Sequence, residues 1–337
     1  MTGRMSAALV ASESLLGREI RDIVAVSVPD LDLRLIAADE EKPGTLTRVG
    51  DEPSLVEALG PESLAGARAV FLAGSAESSR KALELADPGA AIIDLTYAAE
   101  EEPEARVRAP LVESQAETES AAEETRVHVI AHPAAIALAL FLRRLQMHDP
   151  IRRSVIQIFV PASEHGTPGV DELQQQTVSL LSFKPMPRAV FDTQVSFNLV
   201  ARYGQEAPVR LEDSDLRIER HLATLLALPG EGEGAPIPSL RLIQAPVFHG
   251  YSFSAWVEFE ENPGVEALQS GLATPSIDIR GDEAEPPTNV GMAGQGGISV
   301  GAIEVDRNAP EACWFWLVAD NLRLAAENAV AAATQLL

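Results

Sequence analysis

Short apolar runs alternate with amphipathic segments along the first third of the chain, and this alternation restricts the folds that the chain can adopt. Strands are predicted at residues 6–11, 33–37, 69–73 and 91–95, and helices at 14–26, 53–59 and 75–85. Strands that alternate with helices are typical of a parallel α/β sheet. Ligands of such sheets bind beyond the carboxyl ends of the strands. Here those ends are predicted at residues 11–14, 74–75 and 94–97.

The pattern changes in the middle of the chain. Residues 99–125 are rich in Glu, Ala and Ser and are interpreted as a solvated, partly irregular connection. A strand at 127–131 and an apolar helix at 133–147 follow. The later part has strands predicted at 154–160, 239–246, 251–258, 298–305 and 314–318, and helices at 171–181, 215–228 and 319–337. This part is predicted to be an α+β domain on a mostly antiparallel sheet.

Length and charge narrow the class of protein. The 337 residues are enough for two domains. The 26 basic and 50 acidic residues give a net charge of −24, which disfavours binding to nucleic acid or to an anionic membrane. No signal peptide or membrane span is predicted, so a soluble, cytoplasmic protein is expected. The single cysteine, Cys313, excludes an internal disulfide and a multi-cysteine zinc site, and no metal site is predicted.

Five segments of the chain, in order, resemble the aspartate-semialdehyde dehydrogenase family. They are PASEHGTPGVDEL (161–173), VSFNLV (195–200), QAPVFHGYS (244–252), PPTNVGMAGQGGISVGAIEVD (286–306) and WLVADNLRLAAENAV (316–330). The resemblance implies a Rossmann-type domain over residues 1–132, joined by the C-terminal helix 319–337. It also implies a dimerisation and catalytic-like domain over residues 133–318.

The family's reaction, as the resemblance implies it, is an NADP-dependent reductive dephosphorylation of an acyl phosphate. A cysteine thiolate attacks the carbonyl, a histidine acts as acid and base, and an arginine and a glutamate hold the substrate. In this sequence the nucleophile position is Ala135, the arginine position is Gln244 and the histidine position is Tyr251. The substrate glutamate persists as Glu219.

The segment that matches the family's cofactor loop also differs from the family pattern. The candidate cofactor-binding residues are Ala11, Ser12, Ser14, Gly17, Gly74 and Ser75. Of the loop's glycines only Gly17 persists, and Glu13 places a negative charge where a phosphate would lie. The expectation is therefore no cofactor, or NADP bound weakly.

These differences predict a non-catalytic homologue that acts as a binding, structural or regulatory protein. Its expected partner is a second copy, or an active paralogue in a hetero-oligomer. The alternative is a genuine NADP-dependent semialdehyde dehydrogenase with an altered site. A third hypothesis is another class of enzyme in the same cleft, to be considered if His132, His249 and Tyr251 converge. Ser163 with His165, and Glu164 with His165 as metal ligands, are weaker candidates.

Overall fold

The computed structural model describes residues 5–114, 125–229, 234–281 and 283–337. The chain divides into two compact units. The first unit comprises Met1–Ala131 together with Ala325–Leu337, and the second comprises His132–Leu324.

The first unit is built on a parallel sheet. Its strands are β1 (Ser6–Val10), β2 (Asp32–Ala37), β3 (Leu46–Val49), β4 (Glu52–Leu55), β5 (Glu57–Ala58), β6 (Ala69–Leu72), β7 (Ala91–Asp94), β8 (Ala105–Arg108) and β9 (Val127–Ile130). Its helices are α1 (Leu15–Ser27), α2 (Pro61–Leu64) and α3 (Ala76–Leu85). Among the described residues, seven strands pair in the order β5-β2-β1-β6-β7-β9-β8, and β3 and β4 form a separate antiparallel pair. Every pairing within the larger sheet is parallel, which confirms the parallel α/β sheet predicted for the first part of the chain.

Two predictions for this unit are corrected. The helix predicted at 53–59 is wrong, because the segment forms β4 and β5 instead. Val56 exchanges backbone hydrogen bonds with Gly44 and Thr45, and this pairing outweighs a weak local helix preference. The connection predicted at 99–125 contains the edge strand β8. Its residues 115–124 lie outside the described residues.

A buried arginine connects β8 to the end of the chain. The side chain of Arg108 is 1% exposed and donates hydrogen bonds to both carboxylate oxygens of Glu113. It also donates to Gln335 Oε1 at 3.0 Å, in the C-terminal helix α9 (Asn321–Leu336). A buried guanidinium is stable only when it is paired in this way, so Arg108 ties the C-terminal residues of the first unit to its sheet.

The second unit carries a mixed sheet that is mostly antiparallel. Its strands are β10 (Ile151–Val160), β11 (Ser239–Gln244), β12 (Tyr251–Phe259), β13 (Ile277–Ile279), β14 (Ile298–Val305) and β15 (Ala312–Ala319). Its helices are α4 (Pro133–His148), α5 (Gly166–Leu181), α6 (Leu211–Leu226), α7 (Val265–Leu272) and α8 (Asn289–Met292), with a 3₁₀ helix at Ala162–His165. In the described part of the chain the strand order is β11-β10-β12-β15-β14-β13, which confirms the predicted α+β fold.

The two faces of this second sheet differ in burial. Ile156, Ala255 and Phe315 pair across β10, β12 and β15 and are buried. The next residue on each strand points to the opposite face. There Val155, Trp256 and Trp314 form a row across the same three strands, and Val155 and Trp314 are each 39% exposed. One face of the sheet is therefore core, and the other presents an apolar row to its surroundings.

We predict that Gly17→Ala strongly destabilises the first unit. A Cβ at residue 17 would lie 2.2 Å from the Ala11 carbonyl oxygen and 3.0 Å from Ser12 backbone atoms, so α1 would have to move away from β1. The expected loss is about 3 kcal/mol in the free energy of unfolding, measured by denaturant titration. Gly89→Ala is the matched control because a Cβ there meets nothing within 4 Å. Equal stability of the two variants would contradict the prediction.

Candidate functional site

The predicted cofactor-binding residues lie at the carboxyl edge of the parallel sheet, in the loops that follow β1 and β6. Ser14 is the N-cap of α1, and its hydroxyl accepts the Gly17 amide hydrogen at 2.9 Å. The same hydroxyl donates to the carbonyl oxygens of Ala11 at 2.8 Å and Ala73 at 3.0 Å. The hydroxyl of Ser14 is thus committed to the backbone on both sides of this edge.

Ser75 is similarly engaged, whereas Ser12 is not. Ser75 is the N-cap of α3, where its hydroxyl accepts the Ser78 amide hydrogen. Ser12 is fully buried, and its hydroxyl has no hydrogen-bond partner among the described residues. Gly17 allows α1 to approach β1, as its retention in the sequence suggests. A Cβ at Gly74 would lie 2.8 Å from the Cβ of Ala11. The loops after β1 and β6 therefore pack directly against each other.

The second unit holds the positions matched to the family's catalytic groups. Ala135 is fully buried in the first turn of α4. Cys313 is also fully buried, in β15, where the Asn262 amide donates to its sulfur at 3.5 Å. Burial raises the pKa of the Cys313 thiol and so disfavours the nucleophilic thiolate. The chain's single thiol is therefore held in the sheet core in its protonated form.

A buried carboxylate connects His132 to Tyr251. Glu164, in the 3₁₀ helix, accepts a hydrogen bond from the Tyr251 hydroxyl at 2.5 Å and lies 2.8 Å from His132 Nε2. His132 is the N-cap of α4, and its Nδ1 accepts the Ala134 amide hydrogen at 3.2 Å. That bond leaves the proton on Nε2, which donates it to Glu164. His132 and Tyr251 thus converge, but through a carboxylate between them.

The environment of Glu164 holds it in the charged form. Burial alone would raise its pKa, but the neighbouring imidazole of His132 and the hydrogen bonds from His132 and Tyr251 outweigh burial and lower the pKa to about 2. Its side chain is 14% exposed. An ionised carboxylate is therefore bonded both to His132 and to Tyr251, the residue at the position matched to the family's acid and base.

The position of the family's substrate arginine is filled by a fully satisfied amide. The Nε2 of Gln244 donates to the carbonyl oxygens of Val160 and Ala245 at 2.9 and 3.0 Å. Its Oε1 accepts from the Tyr203 hydroxyl at 2.7 Å, and that hydroxyl also lies 2.8 Å from His165 Nε2. Gln244 is fully buried, so it functions as a structural bridge and presents no group to a substrate carboxylate.

Glu219, the matched substrate glutamate, is exposed on α6. Burial, and then the charges of Glu219 and Glu212, raise the pKa of nearby Asp215. Glu219 therefore lies in an acidic, solvated helix surface.

The remaining sequence candidates do not form an alternative centre. Ser163 donates to Asn321 Oδ1 at 3.2 Å, and His165 is bonded to Tyr203, so the two do not act as a nucleophile and base. His249 has a buried Nδ1 without a hydrogen-bond partner and does not join the pair at Glu164. Across the described residues, no cluster of three or more His, Cys, Asp or Glu side chains is arranged to hold a metal ion.

Sequence reasoning missed the central role of Glu164, which it considered only as a metal ligand. Tyr203 was missed as well. The acidic triplet Asp39, Glu40 and Glu41 directly after β2 was also missed, although its place at the carboxyl end of a strand was a usable signal.

The fold is that of a two-unit protein in which one unit has a parallel α/β sheet and the other a mixed sheet. Residues 142–324 match the family model described as semialdehyde dehydrogenase, dimerisation domain. A USG-1 protein homolog from Pseudomonas aeruginosa is 35% identical over 266 residues, which cover 77% of this chain and 76% of that protein. The chain belongs to the semialdehyde dehydrogenase family, as its sequence motifs predicted.

Other relatives agree with this assignment. An aspartate-semialdehyde dehydrogenase from Aquifex aeolicus is 26% identical over 332 residues, 96% of this chain and 95% of that protein. The structure of a probable aspartate-semialdehyde dehydrogenase from Pseudomonas aeruginosa superposes with a TM-score of 0.82, at 28% identity and with 98% of each chain covered. In the described part of the chain, no helix has the length and apolar character needed to cross a bilayer.

We predict that Glu164→Gln destabilises the second unit in a pH-dependent way. The folded-state pKa of Glu164 is lowered from 4.5 to about 2, so its charge stabilises the fold above about pH 4.5 and that contribution is lost as the pH falls toward 2. The variant should lose about 2 kcal/mol near neutral pH. In denaturant titrations its difference from wild type should shrink in acid.

Glu219→Gln is the control for this prediction because that side chain is exposed on α6. Its unfolding free energy should stay within about 0.5 kcal/mol of the wild-type value. If both variants behave alike, the carboxylate of Glu164 does not stabilise the unit.

Proposed function

We propose that this chain is a non-catalytic member of the semialdehyde dehydrogenase family and acts as a binding or structural protein. The observation that carries the proposal is the place of the sole thiol. Tyr251, at the matched acid/base position, pairs with Ala319 at one end of β15, and Cys313 lies six residues away along that strand. At about 3.3 Å per residue this is about 20 Å, too far for the two groups to act on one carbonyl.

The neighbouring groups support the same proposal. Ala135 has no atom that attacks a carbonyl, and Gln244 uses its amide to bridge backbone carbonyls. The Tyr251 hydroxyl donates a hydrogen bond to the ionised Glu164. Deprotonating Tyr251 would place a second negative charge beside that carboxylate, which is unfavourable. Nucleophile, base and substrate clamp are therefore all replaced by groups that serve the fold.

We propose further that the protein is a homodimer formed through residues 133–318. The dimerisation-domain match covers most of this range. The open face of its sheet carries the row Val155, Trp256 and Trp314. Contiguous apolar surface of this kind is typical of an interface between subunits.

We predict that the purified protein does not reduce NADP in the presence of aspartate semialdehyde and phosphate. Ala135→Cys should remain inactive, because a restored thiol still lacks a basic partner and a cationic substrate clamp. The measurement is absorbance of the reduced nicotinamide. The Aquifex aeolicus relative, assayed in parallel, shows that the assay reports the reaction.

Turnover by folded wild-type protein would overturn the proposal and favour a genuine NADP-dependent dehydrogenase. Turnover by Ala135→Cys alone would show that the base and clamp survive in another form. Circular dichroism of each variant confirms that inactivity does not come from unfolding.

We predict that Val155→Glu weakens the dimer at least tenfold. The substitution places a charge at one end of the apolar row, beside Trp256, where a second copy would have to desolvate it. Sedimentation velocity across micromolar concentrations measures the change. Leu46→Glu, at a more exposed strand residue of the first unit, should leave association unaltered. A monomeric wild type, or equal dissociation constants for the two variants, would contradict the dimer proposal.

A further inference from the structure

The carboxyl edge of the parallel sheet has a crevice where the strand order reverses. The chain runs from β1 outward to β2 and then returns to β6 on the other side of β1. In sheets of this kind a nucleotide binds at that reversal, with its phosphates on the amide hydrogens of the adjoining helix ends. The family resemblance implies NADP there, so the residues at the crevice can be tested for fit.

The walls of the crevice are already in contact. Ala11 adopts a left-handed conformation with φ of 64°. Glycine is the residue that adopts this conformation most easily, and a loop that binds a phosphate would use it here. Its methyl group lies against Gly74, and the Ser14 hydroxyl donates across the crevice to the Ala73 carbonyl. The loops after β1 and β6 are therefore in direct contact, with the methyl group of Ala11 between them.

The chain's own carboxylates occupy the amide donors at this edge. Glu40 Oε1 accepts the Ser75 amide hydrogen at 2.9 Å, at the N-terminus of α3, and its Oε2 accepts from the Ser78 hydroxyl at 3.1 Å. Glu41 accepts the amide hydrogens of Glu13 at 2.9 Å and Ala38 at 3.3 Å. A helix N-terminus and a loop amide are the donors that a phosphate would otherwise use.

The charges at the edge of the crevice also disfavour the binding of a phosphate. Four acidic side chains share the edge: Glu13, Asp39, Glu40 and Glu41. The cations are paired with them: Arg21 lies 2.7 Å from Glu13, Arg18 lies 3.5 Å from it, and Lys81 binds Asp39. A nucleotide phosphate would therefore meet a group of carboxylates, and the cations beside them are already paired with those carboxylates. The residues at the crevice do not fit NADP.

We infer that the carboxylates of Glu40 and Glu41 take the place of nucleotide phosphates in this crevice and exclude NADP from the first unit. The inference goes beyond the loss of catalysis, because a chain without a nucleophile can still bind a dinucleotide. The two side chains after β2 exclude the cofactor because they carry negative charge and because they occupy the amides of Ser75, Glu13 and Ala38.

The test is a calorimetric titration of the full chain with NADPH. Wild type should show no saturable binding up to about 1 mM. Glu40→Ala/Glu41→Ala frees the amides of Ser75, Glu13 and Ala38 and removes two charges, so it should bind NADPH at least tenfold more tightly than wild type. Glu84→Ala, on the same helix α3 but near its C-terminal end, is the control and should show no binding of NADPH.

Two results would overturn the inference. Micromolar binding of NADPH by wild type would show that the crevice accepts the cofactor; the absence of dehydrogenase turnover would still stand as a separate result. If the folded double variant shows no binding of NADPH, residues other than Glu40 and Glu41 exclude the cofactor. If the alanine variant does not fold, Glu40→Gln/Glu41→Gln keeps the acceptor oxygens and removes the charges, and it should still gain measurable binding. No gain by that folded variant would count against the role of the charges.

Discussion

A carboxylate withdrawn from water must be surrounded by hydrogen-bond donors, and this requirement governs the arrangement around Glu164. In the second unit Glu164 takes the donors of His132 and Tyr251. In the first unit Glu40 and Glu41 take backbone amides at the strand ends. The donors that would serve a bound anion are therefore used by internal acidic groups. In both sites, hydrogen bonds to the chain's own carboxylates occupy donors that a bound anion would need.

The substitutions around Glu164 depend on one another. A tyrosine at residue 251 places its hydroxyl 2.5 Å from the Glu164 carboxylate, and the carboxylate in turn needs that donor because it is largely buried. His132 supplies the other donor only because its Nδ1 caps α4 and so leaves the proton on Nε2. Removing any one of the three would break at least one hydrogen bond of a largely buried polar group, where a lost bond is costly.

The sequence predicted the architecture well because burial leaves a periodic signal. The wholly buried strands β1 and β6, and the alternating burial along β12, are readable from the residues alone. The segment 53–59 was predicted wrongly because only Val56 is buried, so pairing with residues 44–45 decided its structure. Glu164 lies in a short 3₁₀ helix, and its partners are 32 and 87 residues away. No local pattern reports such contacts, whereas Ala135, Gln244 and Tyr251 were matched to the family's catalytic positions from motif order alone.

The commitment of His132 also explains why a single reversion would not rebuild a reactive centre. A thiol at residue 135 becomes a nucleophile only beside a base or a cation that favours its thiolate. His132, in the same helix start, has its Nδ1 bonded to an amide hydrogen and its Nε2 proton held by Glu164. The group opposite is an anion, which would raise the pKa of a nearby thiol. Under the proposed non-catalytic function, the loss of reactivity therefore resides in a hydrogen-bonded network and not in one missing sulfur.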